Sequence, residues 1–245
     1  MFFRVSPEIF SDYPGALVGV VLARGIDNAG QAAAAVPLLR EAEGKLAERL
    51  GSRPVAEHPH IAPWREAYRK FGAKPKDHPS SVESLVRRVL RGHSIPHVNK
   101  LVDLYNAISL KYLLPAGGED LDAIEGDLVL TIATDKEASV RLLGEPGERP
   151  PHKGEVIYKD DIGPVCRRWN WKEADRTKLT ERTRNAVLVI EGLPPIERGS
   201  VEQAVEELRR LTEKHCGGAA VGALLDAARA RLDPTGAVRP RPDAG

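Results

Sequence analysis

Apolar and polar positions change rhythm along the chain. The run "ALVGVVLA" (Ala16–Ala23) is continuously apolar and rich in β-branched residues, which predicts a buried strand followed by a turn. Residues 36–51, "VPLLREAEGKLAERLG", move to a helical period and predict an amphipathic helix stopped by Gly51. "APWREAYRKFG" (62–72) predicts a short helix opened by Pro63 and closed by Gly72, and "KPKDHPSS" a Pro-rich connection. "SSVESLVRRVLRG" predicts a helix with a capping box: Ser80 caps the amide three residues on, Glu83 reaches back, and Gly92 ends it. A further helix is predicted over 97–115. The texture then becomes β-type. "GDLVLTIAT", "SVRLLGE", "GEVIYKDD", "PVCRRWNW" and "NAVLVIEGL" are short runs separated by Gly and Pro turns. A helix pair is expected over 201–214 and roughly 219–232, and residues 234–245 read as a disordered tail. With no internal repeat, this order predicts one α+β domain over 1–233, a mixed or antiparallel sheet with packed helices.

Composition narrows the class. The chain has 245 residues and is 42% hydrophobic, enough to bury a core. Basic and acidic residues number 36 and 35, a balance that argues against a dedicated DNA-coating protein while leaving room for a local basic face. The two cysteines, Cys166 and Cys216, form no CxxC spacing, which suits a reducing cytoplasm and gives no zinc framework. The N-terminus has no signal-peptide pattern and the longest apolar run is too short to span a bilayer, so a cytoplasmic protein is expected. His93 and His97 lie four apart, but Pro96 between them breaks a helix, so no metal is expected. Phosphate-loop, dinucleotide-loop and hydrolase-elbow motifs do not occur, and no cofactor is expected.

Two stretches hold candidate chemistry. On the helix at 97–115, Asn99, Asp103 and Asn106 fall within about 60° of one another, opposite an apolar face formed by Leu101, Leu104, Tyr105, Ile108 and Tyr112. Asn and Asp are poor helix formers, so the stripe suggests fixed hydrogen bonds rather than simple solvation. Buttress and ligand wall are both open. The second stretch, 166–185, carries seven basic against three acidic residues. Read as a strand, it places Arg168, Asn170 and Lys172 on one face and Arg167, Trp169 and Trp171 on the other. The guanidinium groups there either stabilise the fold or meet a carboxylate or phosphate. Thr177, Thr180 and Thr183, three apart, either cap a turn or offer hydroxyls to a polar ligand. Cys166 reads as a small buried thiol.

These residues carry a resemblance. "HVNKLVDLYNAISLKYLLPAGGEDLDAIEGDLVLTIATDKEASVRLLG" is similar to the B3/B4 domain of the bacterial phenylalanyl-tRNA synthetase beta subunit, in which an Asn, a Val-Asp and an Asn share one helix, followed by a Gly-x-Pro turn, an Asp-Leu-Asp step and a strand. Here these are Asn99, Val102–Asp103, Asn106, Pro115 and Asp120–Asp122. With "WREAYRKFG", "PSSVESLVRRVL" and "VCRRWNWKEADRTKLTERT", the chain resembles freestanding B3/B4-domain proteins over about Trp64 to Leu193. The synthetase domain has a His two residues after the Pro of that turn. Gly117 stands here, so that contribution is not carried over.

The resemblance implies a B3/B4-like α+β fold, a pocket that hydrolyses mischarged aminoacyl-tRNA, and no amino-acid activation. A freestanding copy would be a trans-editing deacylase. Its alternatives are a non-catalytic tRNA-binding module or a binder of free amino acids or another small molecule. The expected site has Asn106 and Asp103 as catalytic residues, with Asp103 or a nearby carboxylate on the α-ammonium. Asn99, Arg167, Arg168 and Trp169 are expected to bind substrate, with Ser80, Glu83, Thr180 and Thr183 as further candidates. A monomer or homodimer is expected, with tRNA or an aminoacyl small molecule as partner and neither membrane nor DNA.

Overall fold

Strands buried on both faces organise the molecule. The computed structural model describes residues 2–30, 35–50 and 54–239. Its helices are α1 (Pro7–Asp12), α2 (Ala35–Gly44), α3 (Leu46–Leu50), α4 (Ala62–Lys70), α5 (Ser81–Leu90), α6 (Lys100–Tyr112) and α7 (Arg198–Cys216). The strands are β1 (Phe3–Val5), β2 (Leu17–Arg24), β3 (Ala116–Asp120), β4 (Leu128–Ile132), β5 (Val140–Arg141), β6 (Glu148–Arg149), β7 (Val156–Lys159), β8 (Pro164–Arg167), β9 (Lys172–Glu173), β10 (Asn185–Gly192), β11 (Ala219–Leu225), β12 (Arg231–Leu232) and β13 (Val238–Arg239). Among the described residues they form a seven-stranded sheet, β13-β12-β1-β4-β7-β8-β9, a four-stranded sheet, β11-β2-β10-β3, and the small pair β5-β6. Only β1 and β4 run parallel; the other pairings are antiparallel, so the fold is α+β with a mixed sheet.

The apolar run at 16–23 is β2, and its continuity has a cause. Val18, Val20 and Leu22 enter the core between the sheets, while Leu17, Val21 and Ala23 pack with α6 and α7 on the other side. Strand β10 does the same, with Val187 and Val189 inward to the first core and Ala186, Leu188 and Ile190 in the second. A strand covered on both sides loses its polar alternation.

Four expectations are corrected. The helix expected over 219–232 is β11, paired along its length with β2, then a turn and β12. The alanines there have good helix propensity, but sheet pairing overrides it. Gly222 lets α7 approach, since a Cβ there would lie 2.9 Å from the Val205 side chain. The expected single helix over 36–51 is α2 and α3 with Lys45 between them, and Gly51 lies outside the described residues. The chain does not lose order at 234: Asp233–Arg239 form a turn and β13, which pairs with β12, while residues 240–245 lie outside the described residues. The capping box at Ser80 does not form. Ser80 occupies the N-cap of α5 without a side-chain bond, and Glu83 turns instead to Arg65 and Arg87, both at 2.6 Å. Two charge-assisted contacts outweigh one backbone cap.

Candidate functional site

Helix α6 is fixed at its start by side chains. Asn99 is its N-cap: Oδ1 accepts from Val102 N–H at 3.1 Å and Nδ2 donates to the Leu179 carbonyl at 3.1 Å. Asn28 completes the cap, accepting from Leu101 N–H and donating to the Thr180 carbonyl. Asp103 is fully buried and turned back towards the loop before the helix, where its carboxylate meets His97 Nδ1 at 2.6 Å. Orphan helix N–H groups are satisfied in this way, so Asn99 is structurally committed. Asn106, a turn further on, faces elsewhere.

It lines a cavity of about 270 Å³. Tyr105 and Asn106 come from α6, residues 116–119 from β3, Val189 and Glu191 from β10, Ser81, Ser84 and Leu85 from α5, and Tyr158 from β7. Leu128 of β4 and Leu143 add apolar surface, and the rest of the wall is the β8–β9 hairpin, with Cys166 and Trp169–Glu173. This hairpin corrects the alternating strand expected there. The strand ends at Arg167, because Arg168 and Trp169 adopt left-handed backbone, φ 49° and 63°. Non-glycine residues rarely take this conformation, and here tertiary bonds hold it. Trp169 N–H donates to the Val156 carbonyl at 2.6 Å and Arg168 N–H to Glu155 Oε1 at 3.0 Å. Trp169 and Trp171 consequently part company. The Trp169 ring is buried edge-on against Trp64 and Tyr13, whereas Trp171 lies beside His78 with Arg168 stacked 4.4 Å from its centroid.

Three glutamates give the cavity its character. Glu191 continues the inward face of Val187 and Val189 and is 2% exposed. Its Oε1 accepts from Tyr158 Oη at 2.5 Å and Trp169 Nε1 at 2.7 Å, and Oε2 accepts from Asn170 Nδ2 at 2.8 Å. Tyr68 Oη in turn donates to Asn170 Oδ1. Burial pushes the Glu191 carboxyl up to about 7 against the pull of these donors. Glu173 accepts from Gly118 N–H at 3.1 Å, and burial raises it to about 7 as well. Glu119 is 4% exposed, and burial together with the charge of Glu173 holds its carboxyl well above the ordinary range. The space that a side chain at 117 would fill is taken: a Cβ on Gly117 would lie 2.8 Å from Glu173 Oε1. The Cys166 thiol is also pushed well above its usual value, by burial first and by these carboxylates next.

Of the residues expected to form the site, Asn106 and Trp169 reach the cavity wall. The others lie elsewhere. Arg167 makes a buried ion pair with Glu155, Arg168 stacks on Trp171, Glu83 holds two arginines, and the Ser80 hydroxyl is buried without a partner. Thr180 and Thr183 close a turn, with Thr183 Oγ1 donating to Asp120 at 2.6 Å and accepting from Thr180 N–H at 2.9 Å. Glu119, Glu173, Glu191, Tyr105 and Tyr158 were not singled out from the sequence. One signal for Glu191 was available: an acid in phase with the inward valines of "NAVLVIEG". Among the described residues, no group of three or more His, Cys, Asp or Glu is arranged to hold a metal ion, and no helix is long and apolar enough to cross a membrane.

The cavity is lined by acidic and aromatic side chains and by one carboxamide, that of Asn106, with no hydrogen bond to another described residue. The B3/4 domain model matches residues 63–217, and the chain belongs to that family. Among solved structures, the chain is similar to an N-terminal fragment of the phenylalanyl-tRNA synthetase beta-subunit from Pyrococcus horikoshii, with 12% identity and a TM-score of 0.48, over 91% of this chain and 54% of that one. The chain thus spans about half the length of that fragment. No curated protein matches.

Proposed function

We propose that this B3/4-family chain is a trans-acting aminoacyl-tRNA deacylase, which frees a wrong amino acid from tRNA without activating amino acids itself. The observation that carries this reading is Asn106. It lines the cavity, is 8% exposed, and its carboxamide makes no hydrogen bond to another described residue. A cavity of about 270 Å³ is at or below the small end of ligand sites, roughly 300–1,000 Å³, which suits an aminoacyl group better than a whole nucleotide.

The chemistry asked of such a site is modest. The ester linking an amino acid to the terminal ribose is attacked by water, with the neighbouring ribose hydroxyl able to assist. A carboxamide can donate to the carbonyl oxygen through Nδ2 and accept from the water through Oδ1, so it orients both partners and steadies the oxyanion. Cys166 is an unsuitable nucleophile, because its raised pKa keeps the thiol protonated. In this reading Asn99 and Asp103 act through α6, as positioning residues. Trp169 supplies an apolar wall held in place by its bond to Glu191.

The second reading is a binder of free amino acids or another small molecule. It is favoured by the state of the basic residues: Arg65, Arg69, Lys70, Arg87, Arg167, Arg176, Lys178 and Arg184 each sit in an ion pair, which leaves less charge for a phosphate backbone. The deciding experiment incubates purified protein with a full panel of mischarged tRNAs and measures amino-acid release. Release from a subset supports the deacylase, and no release from any member overturns it. Salt-sensitive tRNA binding without release would mark a non-catalytic tRNA-binding module.

A further inference from the structure

The glutamates beside Gly117 and Gly118 are not explained by folding. Glu119 Oε2 is buried and has no hydrogen-bond partner. Glu173 receives one backbone N–H, and no cation among the described residues reaches ion-pair distance of either carboxylate. The basic side chains of residues 172–178 are committed to other acids: Arg176 to Asp160 at 2.5 Å, Lys178 to Asp175 at 2.6 Å, and Lys172 to Glu145. The Gly118 N–H on Glu173 and Thr177 beside Glu119 offset little of the charge of these two acids, so burial raises both carboxyls, and a cation bound between them would let the pair ionise.

Register brings the two together. In the β3–β10 ladder Gly117 faces Val189 and Glu119 faces Val187, so both β3 residues look into the space between the sheets. Glu173 reaches the same place from β9, across the glycines, where the missing side chain at 117 leaves room for its carboxylate. Two more polar groups look into the cavity, the Asn106 carboxamide and the Tyr105 hydroxyl. Each belongs to a residue 8% exposed, and neither group hydrogen-bonds to another described residue. Two carboxylates, a hydroxyl oxygen and an amide oxygen make an acceptor-rich corner. The occupant that matches it brings positive charge and several N–H donors in a small volume. A metal ion is a poor match, since the acids do not converge as a ligand set. A guanidinium is planar and bulkier, whereas a primary ammonium offers three donors on one atom.

We propose that Glu119 and Glu173 form a primary-ammonium subsite, in which the ligand's –NH3+ lies between the two carboxylates with Asn106 or Tyr105 as the third acceptor. This rests on the reading that the cavity is the ligand site, and it is independent of whether that ligand is hydrolysed. In an amino acid the ammonium comes from the α position or from the end of a side chain. Both sources present the same chemistry to the pair.

The test uses three amides and the full chain, read by calorimetric titration and thermal shift. L-norleucinamide carries only the α-ammonium, Nα-acetyl-L-lysinamide only the side-chain ammonium, and Nα-acetyl-L-norleucinamide neither. Binding by the first identifies the α source and binding by the second the side-chain source; either supports the subsite, provided that the third does not bind. Glu173→Gln and Glu119→Gln should each weaken the productive amide at least tenfold, with circular dichroism confirming the fold; two variants are used so that one misfolded protein does not decide the matter. No binding by either ammonium compound, equal binding by the third, or unchanged affinity in a folded variant overturns the proposal. Absence of tRNA deacylation with ammonium-dependent binding intact would sink the enzyme reading and leave the subsite standing.

Discussion

Arg167 and Glu155 form a two-pronged ion pair, Nε to Oε1 at 2.9 Å and Nη2 to Oε2 at 2.7 Å, with the residues 4% and 2% exposed. The same carboxylate accepts the Arg168 N–H, so the pair also pins the left-handed turn that delivers Trp169 to the cavity. Removing one partner of a buried pair strands the other charge, typically at about 3–5 kcal/mol. Arg167→Met is therefore expected to lower unfolding stability by that order in urea titrations near neutral pH. Arg167→Lys should lose less, keeping the charge but not the fork.

Glu155 makes this loss pH-dependent. Burial alone would raise its carboxyl, but the Arg167 bonds and charge prevail and hold it below the ordinary value. A depressed carboxyl binds fewer protons folded than unfolded, so its contribution is present above the unfolded pKa of about 4.5 and is lost as pH falls below it. The wild-type chain should lose stability in acid more steeply than Arg167→Met, as melting curves between pH 6 and 3, roughly, would record.

Glu191 acts in the opposite sense. Its folded pKa is raised, to about 7, so the folded state holds a proton that the unfolded state gives up. The associated stability is complete below about 4.5 and is lost as pH climbs through about 7, on the order of 3 kcal/mol in all. Glu191→Gln should flatten that slope between pH 5 and 8, roughly, whatever its effect on absolute stability. A variant that keeps the wild-type slope would show that Glu191 is not the group responsible.

Asn106 and Asn99 share a helix and a side-chain type, and they should separate cleanly. Asn106→Ala removes a carboxamide with no protein partner, so its melting temperature should stay close to wild type while deacylation falls at least tenfold.

Asn99→Ala removes an N-cap and leaves the buried Leu179 carbonyl without its donor. The expected cost is about 1–2 kcal/mol for the cap, with more for the orphaned acceptor. Denaturant unfolding of the two variants side by side checks the contrast.

Much of the architecture was legible because it is written in period. The apolar run at 16–23, the helices around Trp64, Ser81 and Leu101, and the β-type runs after 126 all declare themselves through spacing. The failures share a cause in tertiary context. The sequence "AAVGALL" is helix-forming by itself and becomes a strand because β2 offers an edge beside α7. "AGGED" has no strand signature, yet β10 recruits it as β3 and thereby builds the cavity floor. Within the site, Asn106 was found from helical phase. Strand phase puts Arg168 on a face with Asn170 and Lys172, and this fails because two left-handed residues break the alternation on which strand phase depends. The three glutamates were hidden among 35 acidic residues, since burial is not visible in residue type.

Gly117 and Glu173 occupy what is in effect one shared volume. Only one of the two positions can project a group into that part of the cavity at a time. A side chain at 117 would have to turn the Glu173 carboxylate aside, and that carboxylate is the flexible end of the contact. A shorter residue at 173 would free the same room without any such displacement. The chemistry presented at this corner of the cavity is therefore set by the two positions jointly, and a change at either is best judged with the other in view.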